Sequence, residues 1–131
     1  MIDLSLVVTE LVLRGGRSIA QDLQDNYRRN PTLPGLSVTF HPGYDVDTLA
    51  RVGHFKHRTI SFATVEQLQQ ALVAEGYTLQ IQHTPSAATP EHHSLLVSQH
   101  GTILPDLPDA AAHALSQEFG KNVVPNPYQQ P

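Results

Sequence analysis

Apolar residues crowd the first positions of the chain, at Ile2, Leu4, Leu6, Val7, Val8, Leu11, Val12 and Leu13. That density suits a helix or a buried strand about equally. A helix over about 2–14 is the expectation, broken by Gly15-Gly16. Ile19, Leu23 and Tyr27 then recur at four-residue steps behind Ser18 and Gln21, whose spacing is that of a capping box, and predict a helix over 18–29. Asn30-Pro31 and Leu33-Pro34-Gly35 stop it and turn the chain. Leu36, Val38 and Phe40 alternate with Ser37 and Thr39, which predicts a strand over 36–40 with one face buried. Asp45 caps a short helix through Val46, Leu49 and Val52, closed by Gly53.

A strand–helix–strand unit follows. Residues 58–62 read as a strand, Thr64 and Gln67 repeat the capping-box spacing ahead of a helix over 65–75, and Tyr77, Leu79 and Ile81 alternate through a strand over 77–83. The two strands are expected to run parallel. Thr84 to Glu91 reads as a loop, 94–98 as a fourth strand, and 108–119 as a helix opened by Asp106-Leu107-Pro108-Asp109. The fold class these elements define is α+β: a small mixed sheet of about four strands, covered on one face by helices. Residues 1–120 are expected to form a single globular domain. Residues 121–131, with Pro125, Pro127 and Pro131, form a Pro-rich extended tail anchored by Val123, Val124 and Tyr128.

Composition narrows the chemistry. The 131 residues include no cysteine, which excludes disulfides, thiolate metal sites and a cysteine nucleophile. The formal charge of −4 argues against a general electrostatic grip on nucleic acid or an anionic membrane. Asp3 and Glu10 spoil a secretory signal, and Leu4 to Thr9 is far too short an uncharged run to cross a bilayer. A cytoplasmic protein with no membrane partner is expected. Seven of the eight Lys and Arg residues lie at or before Arg58, so any cationic patch is N-terminal.

The densest cationic stretch is His54-Phe55-Lys56-His57-Arg58. Phosphate contacts from Lys56 and Arg58, with a base stacked on Phe55, would suit a nucleotide or RNA. The bland alternative is a Phe55 packed inward among solvated charges. Eight histidines fall mainly at inferred strand ends. If strand 36–40 runs parallel to strand 58–62, His41 joins the group of His83 and His92; if antiparallel, it approaches His54 and His57. Paired imidazoles can cleave a phosphodiester without metal, one accepting the proton of a 2′-hydroxyl and the other protonating the leaving oxygen. His54, His57, Arg58, His83 and His93 are the candidate catalytic residues on that reading. Metal ligation by His92 and His93 with Glu91 or His83 is the weaker option, because adjacent histidines in a strand point to opposite faces. Neither a metal nor another cofactor is expected.

Arg14-Gly15-Gly16, followed 21 residues later by Ser37-Val38-Thr39, superficially resembles the arginine and strand-borne serine with which ADP-ribosyltransferases hold NAD. The likeness covers two short strings, and the Glu-x-Glu that transfer needs is absent, so membership is not assigned. Gly15-Gly16 reads instead as a break between helices. No phosphate-binding glycine loop and no Gly-x-Ser-x-Gly elbow is present. Two functions remain as expectations. One is an interaction or accessory module that binds a protein partner or a second copy of itself. The other is a metal-independent, effector- or toxin-type enzyme acting on RNA or a nucleotide through His and Arg or Lys, in the manner of a ribonuclease.

Overall fold

The structure is a computed structural model that describes residues 2–29 and 34–131. After a 3-10 turn at Leu4–Leu6 the elements run β1 (Leu11–Gly15), α1 (Ala20–Tyr27), β2 (Leu36–Phe40), α2 (Val46–Val52), β3 (Thr59–Thr64), α3 (Val65–Ala74), β4 (Thr78–His83), β5 (His92–Gln99), β6 (Thr102–Ile103), α4 (Asp109–Gly120) and β7 (Val123–Pro125). The architecture is α+β, but its sheet has seven strands rather than about four. Its order is β4-β5-β2-β1-β3-β7, with β6 on β5. Every neighbouring pair is antiparallel, so the sheet is not mixed. No helix among the described residues is long and apolar enough to cross a membrane.

The helix expected over 2–14 is instead a short turn and the strand β1. Val12 and Leu13 are consecutive and both fully buried. On a strand they face opposite sides, and here each side meets its own apolar layer. Val12 joins the larger core of Leu23, Tyr27, Leu68, Leu72, Leu115 and Phe119, contributed by α1, α3 and α4. Leu13 packs with Leu49, Ala50 and Ile60 under α2. Helices therefore cover both faces, and a strand buried on both sides loses the alternation that would have marked it. The larger core is tied across by Tyr27, whose hydroxyl donates to Leu104 O at 2.9 Å and accepts from Val97 N at 3.1 Å.

Two of the local cap signals hold. Thr64 and Gln67 form the expected reciprocal capping box on α3, and Asp45 Oδ1 accepts from Thr48 N at 2.8 Å to start α2. At α1 the expected capping box is absent: Ile19 holds the cap position, and the Ser18 side chain points elsewhere. β3 and β4 do run in the same direction, since four antiparallel pairings connect them, but β1, β2 and β5 lie between. The tail adds β7 to the open edge of β3, with Ile60 opposite Val124 and Ser61 opposite Val123. Pro125 is tolerated there because β7 is itself an edge strand. Val124 and Tyr128 pack on the layer beneath α2.

Candidate functional site

Period two carries β1 onward from Val12 to Arg14 on the same face of the sheet. Arg14 is therefore drawn under α1, and only 8% of it remains exposed. Its Nε donates to Ser18 Oγ at 3.1 Å, and its Nη1 donates to Asn26 Oδ1 at 2.8 Å and to Ser37 O at 2.9 Å. Ser18 Oγ lies 2.7 Å from Ser61 Oγ of β3, while Asn26 Oδ1 also accepts from Ser37 N at 2.9 Å. All these partners are neutral. Among the described residues no carboxylate lies within ion-pair distance of Arg14, and its Nη2 has no hydrogen-bond partner.

Burial, helped by the repulsion of Arg29 and opposed by Asp22, lowers the Arg14 pKa to about 10. The guanidinium still carries its charge at neutral pH. It is a desolvated cation whose direct hydrogen-bond partners are all neutral, beside a cleft of about 480 Å³ that also meets Gly15, Gly16, Arg17, Ser18, Asp22, Asp25, Asn26, Arg29, Ser37, Phe55 and His57. Gly16 and Ser18 both have left-handed backbone, at φ +81° and +56°. For Ser18 that conformation is strained. The strain accompanies a turn that sends its hydroxyl back to Arg14 rather than to the amides of α1.

The loop before β3 forms the opposite wall. The His57 ring lies over Gly15 and Gly16: a Cβ on Gly15 would stand 2.8 Å from His57 Cε1 and 2.9 Å from Phe55 Cδ1. Gly53 gives the Phe55 ring the same freedom, since a Cβ there would come within 2.7 Å of Cζ. Three glycines thus admit two rings. The tail fastens this loop from behind. Asn126 Nδ2 donates to His57 O at 3.0 Å, Asn126 N to Arg58 O at 2.8 Å, Gln130 N to Phe55 O at 2.9 Å and Gln129 Nε2 to Lys56 O at 3.1 Å.

The five candidate catalytic residues separate. His57 lines the cleft, whereas His54, Arg58 and Lys56 are exposed and do not. Phe55 reaches the cleft but packs with the layer under α2, so the inward reading of that ring holds. His83 and His93 face each other across β4 and β5, stacked with ring centres 4.6 Å apart, and His93 meets the Phe40 ring edge-on at 5.1 Å. Because β2 and β3 run in the same direction, His41 joins this group, at the opposite end of the strands from His57. Burial lowers the His93 pKa, opposed by its bond to Glu91 O and aided by the nearby His83, His92 and His41. No three His, Asp or Glu side chains among the described residues are arranged to hold a metal.

The two strings that resemble ADP-ribosyltransferases do meet, since Arg14 on β1 bonds the backbone of Ser37 on β2. Reading Gly15-Gly16 as a break between helices is corrected: it ends a strand and makes room for His57. Sequence reasoning reached Arg14 only through that resemblance, and gave Arg17, Ser18, Asn26, Arg29 and Ser61 no place in a site. The available signal was an arginine continuing the buried alternation of Val12. Together, fold and cleft define an all-antiparallel α+β protein with a buried, uncompensated arginine at an open cavity. Comparison of the chain with protein-family models, curated proteins and solved structures finds no match.

Proposed function

We propose that the chain binds a phosphorylated small molecule of the nucleotide class in the Arg14 cleft. The observation that carries this reading is a desolvated guanidinium with no carboxylate in ion-pair contact among the described residues and with Nη2 unused at the cleft. The two N–H groups left on Nη2 can donate to a phosphate oxygen, and charge-assisted bonds of that kind would be strong away from bulk water. Arg17 and Arg29 add positive charge at the rim, and Asp22 and Asp25 limit the total. A single phosphate group fits that balance better than a long polyanion, which the net charge of −4 also disfavours.

Two-histidine cleavage draws less support, because His57 is the only histidine lining the cleft and the stacked His83–His93 pair belongs to the other end of the sheet. A protein-binding role also draws less. Among the described residues, the large exposed apolar side chains Leu6, Ile19, Val73 and Ile103 stand on four separate segments. Calorimetric titration with AMP, GMP, CMP, UMP and ribose 5-phosphate tests the proposal. At least one is expected to bind with Kd below about 1 mM, equivalent to about 4 kcal/mol, and Arg14→Met is expected to abolish the binding. Failure of the whole panel, or unchanged binding by Arg14→Met, would overturn it.

A further inference from the structure

A second hollow of about 390 Å³ adjoins the cleft, lined by Arg17, Ile19, Ser116, Gly120 and Val123. Arg17 borders both cavities, so they are neighbours along one surface. Their walls differ. The first is framed by arginines, aspartates, serines and Asn26, whereas the second is lined by Ile19, 52% exposed, and the half-buried Val123, with Gly120 contributing no side chain. A Cβ on Gly120 would meet nothing within 4 Å. Phe55, the obvious platform for a base in the sequence, is wedged between Gly15 and Gly53 and committed to the layer under α2.

We infer that the hollow between the last turn of α4, β7 and Ile19 receives the base of the nucleotide whose phosphate sits on Arg14, with Arg17 spanning the two parts. The inference rests on the Arg14 reading and adds where the organic part of the ligand lies. It makes the ligand a nucleoside phosphate rather than a sugar phosphate or inorganic phosphate. A flat ring laid against Ile19 and Val123 would lose water from its apolar face, while the Arg17 guanidinium at the shared rim can pair with the ribose-linked phosphate.

The test compares AMP, GMP, CMP and UMP with ribose 5-phosphate, which keeps the sugar and phosphate but lacks the base, on the wild type and on Gly120→Leu and Arg14→Met. Gly120→Leu adds a bulky side chain at the wall of the hollow, where a Cβ would meet nothing within 4 Å, at a helical site where leucine is favoured over glycine. Wild type should bind the best nucleotide at least about ten-fold more tightly than ribose 5-phosphate, as stacking of one base supports. Gly120→Leu should erase that advantage and leave ribose 5-phosphate unchanged. Should the best nucleotide have no such advantage in the wild type, or keep it in Gly120→Leu, the base lies elsewhere and the inference is overturned, while the Arg14 site stands if Arg14→Met abolishes both. Absence of all binding in the wild type removes the site itself, and the inference with it.

Discussion

Replacing Arg14 by methionine separates stability from binding. Burial lowers the Arg14 pKa from the ordinary arginine value to about 10. At about 1.36 kcal/mol per pH unit, the fold disfavours the charged guanidinium by roughly 3 kcal/mol. The sign follows from linkage. A base with a depressed folded pKa binds its proton less well in the native state, so the penalty is fully present at neutral pH and fades only as pH rises through about 10. Methionine removes the charge and keeps much of the volume. Three hydrogen bonds are lost, but Ser18 Oγ keeps Ser61, and Asn26 Oδ1 keeps Ser37 N. Ser37 O alone loses its partner among these groups, at about 1–3 kcal/mol. The two terms nearly cancel, so chemical denaturation should place Arg14→Met within about 1 kcal/mol of the wild type, although the residue is 92% buried by its 8% exposure. A loss above about 3 kcal/mol would refute the argument, because it would make Arg14 a structural bond rather than a charge awaiting a ligand.

Other perturbations probe the walls of the cleft. Gly15→Ala sets a Cβ 2.8 Å from His57 Cε1 and 2.9 Å from Phe55 Cδ1, and should destabilise by about 1–3 kcal/mol in urea unfolding while displacing His57; an unchanged midpoint would show that the rings move freely. Asn126→Ala removes the amide that holds His57 O and the acceptor for Tyr128 N at 3.0 Å. It should cost about 1–2 kcal/mol and speed hydrogen exchange in residues 54–58, and equal exchange would contradict the tail's role. His93 has a lowered folded pKa, so the unfolded chain binds its proton first and stability should fall as pH drops below about 6.5. In His93→Asn that fall should be shallower, and identical slopes in a pH series of melting curves would reject the assignment.

What the sequence disclosed was local. The capping box of α3, the Asp45 cap and the alternation of Leu36, Val38 and Phe40 depend on near neighbours and reappear as predicted. β1 escaped because both of its faces are buried, which turns alternation into a solid apolar run. β7 escaped because three residues with a proline carry almost no strand signal; only the empty edge of β3 selects them. The histidine groups were legible up to strand order, and His41 went where one of the two orders would send it. The cleft was hidden for another reason: Arg14, Asn26, Ser37 and Ser61 converge through four elements, and nothing in their spacing announces it.

The strand order also bears on how the chain finds its fold. β4–β5 and β5–β6 are hairpins that close short loops, whereas β1–β3, β2–β5 and β3–β7 join segments tens of residues apart. Long loops close late and slow the reaction. The hairpin end of the sheet is therefore the natural nucleus, and Arg14 surrenders its hydration shell only when the long-range strands dock. On the proposed reading, a phosphate that binds only the docked strands would slow unfolding more than it speeds folding.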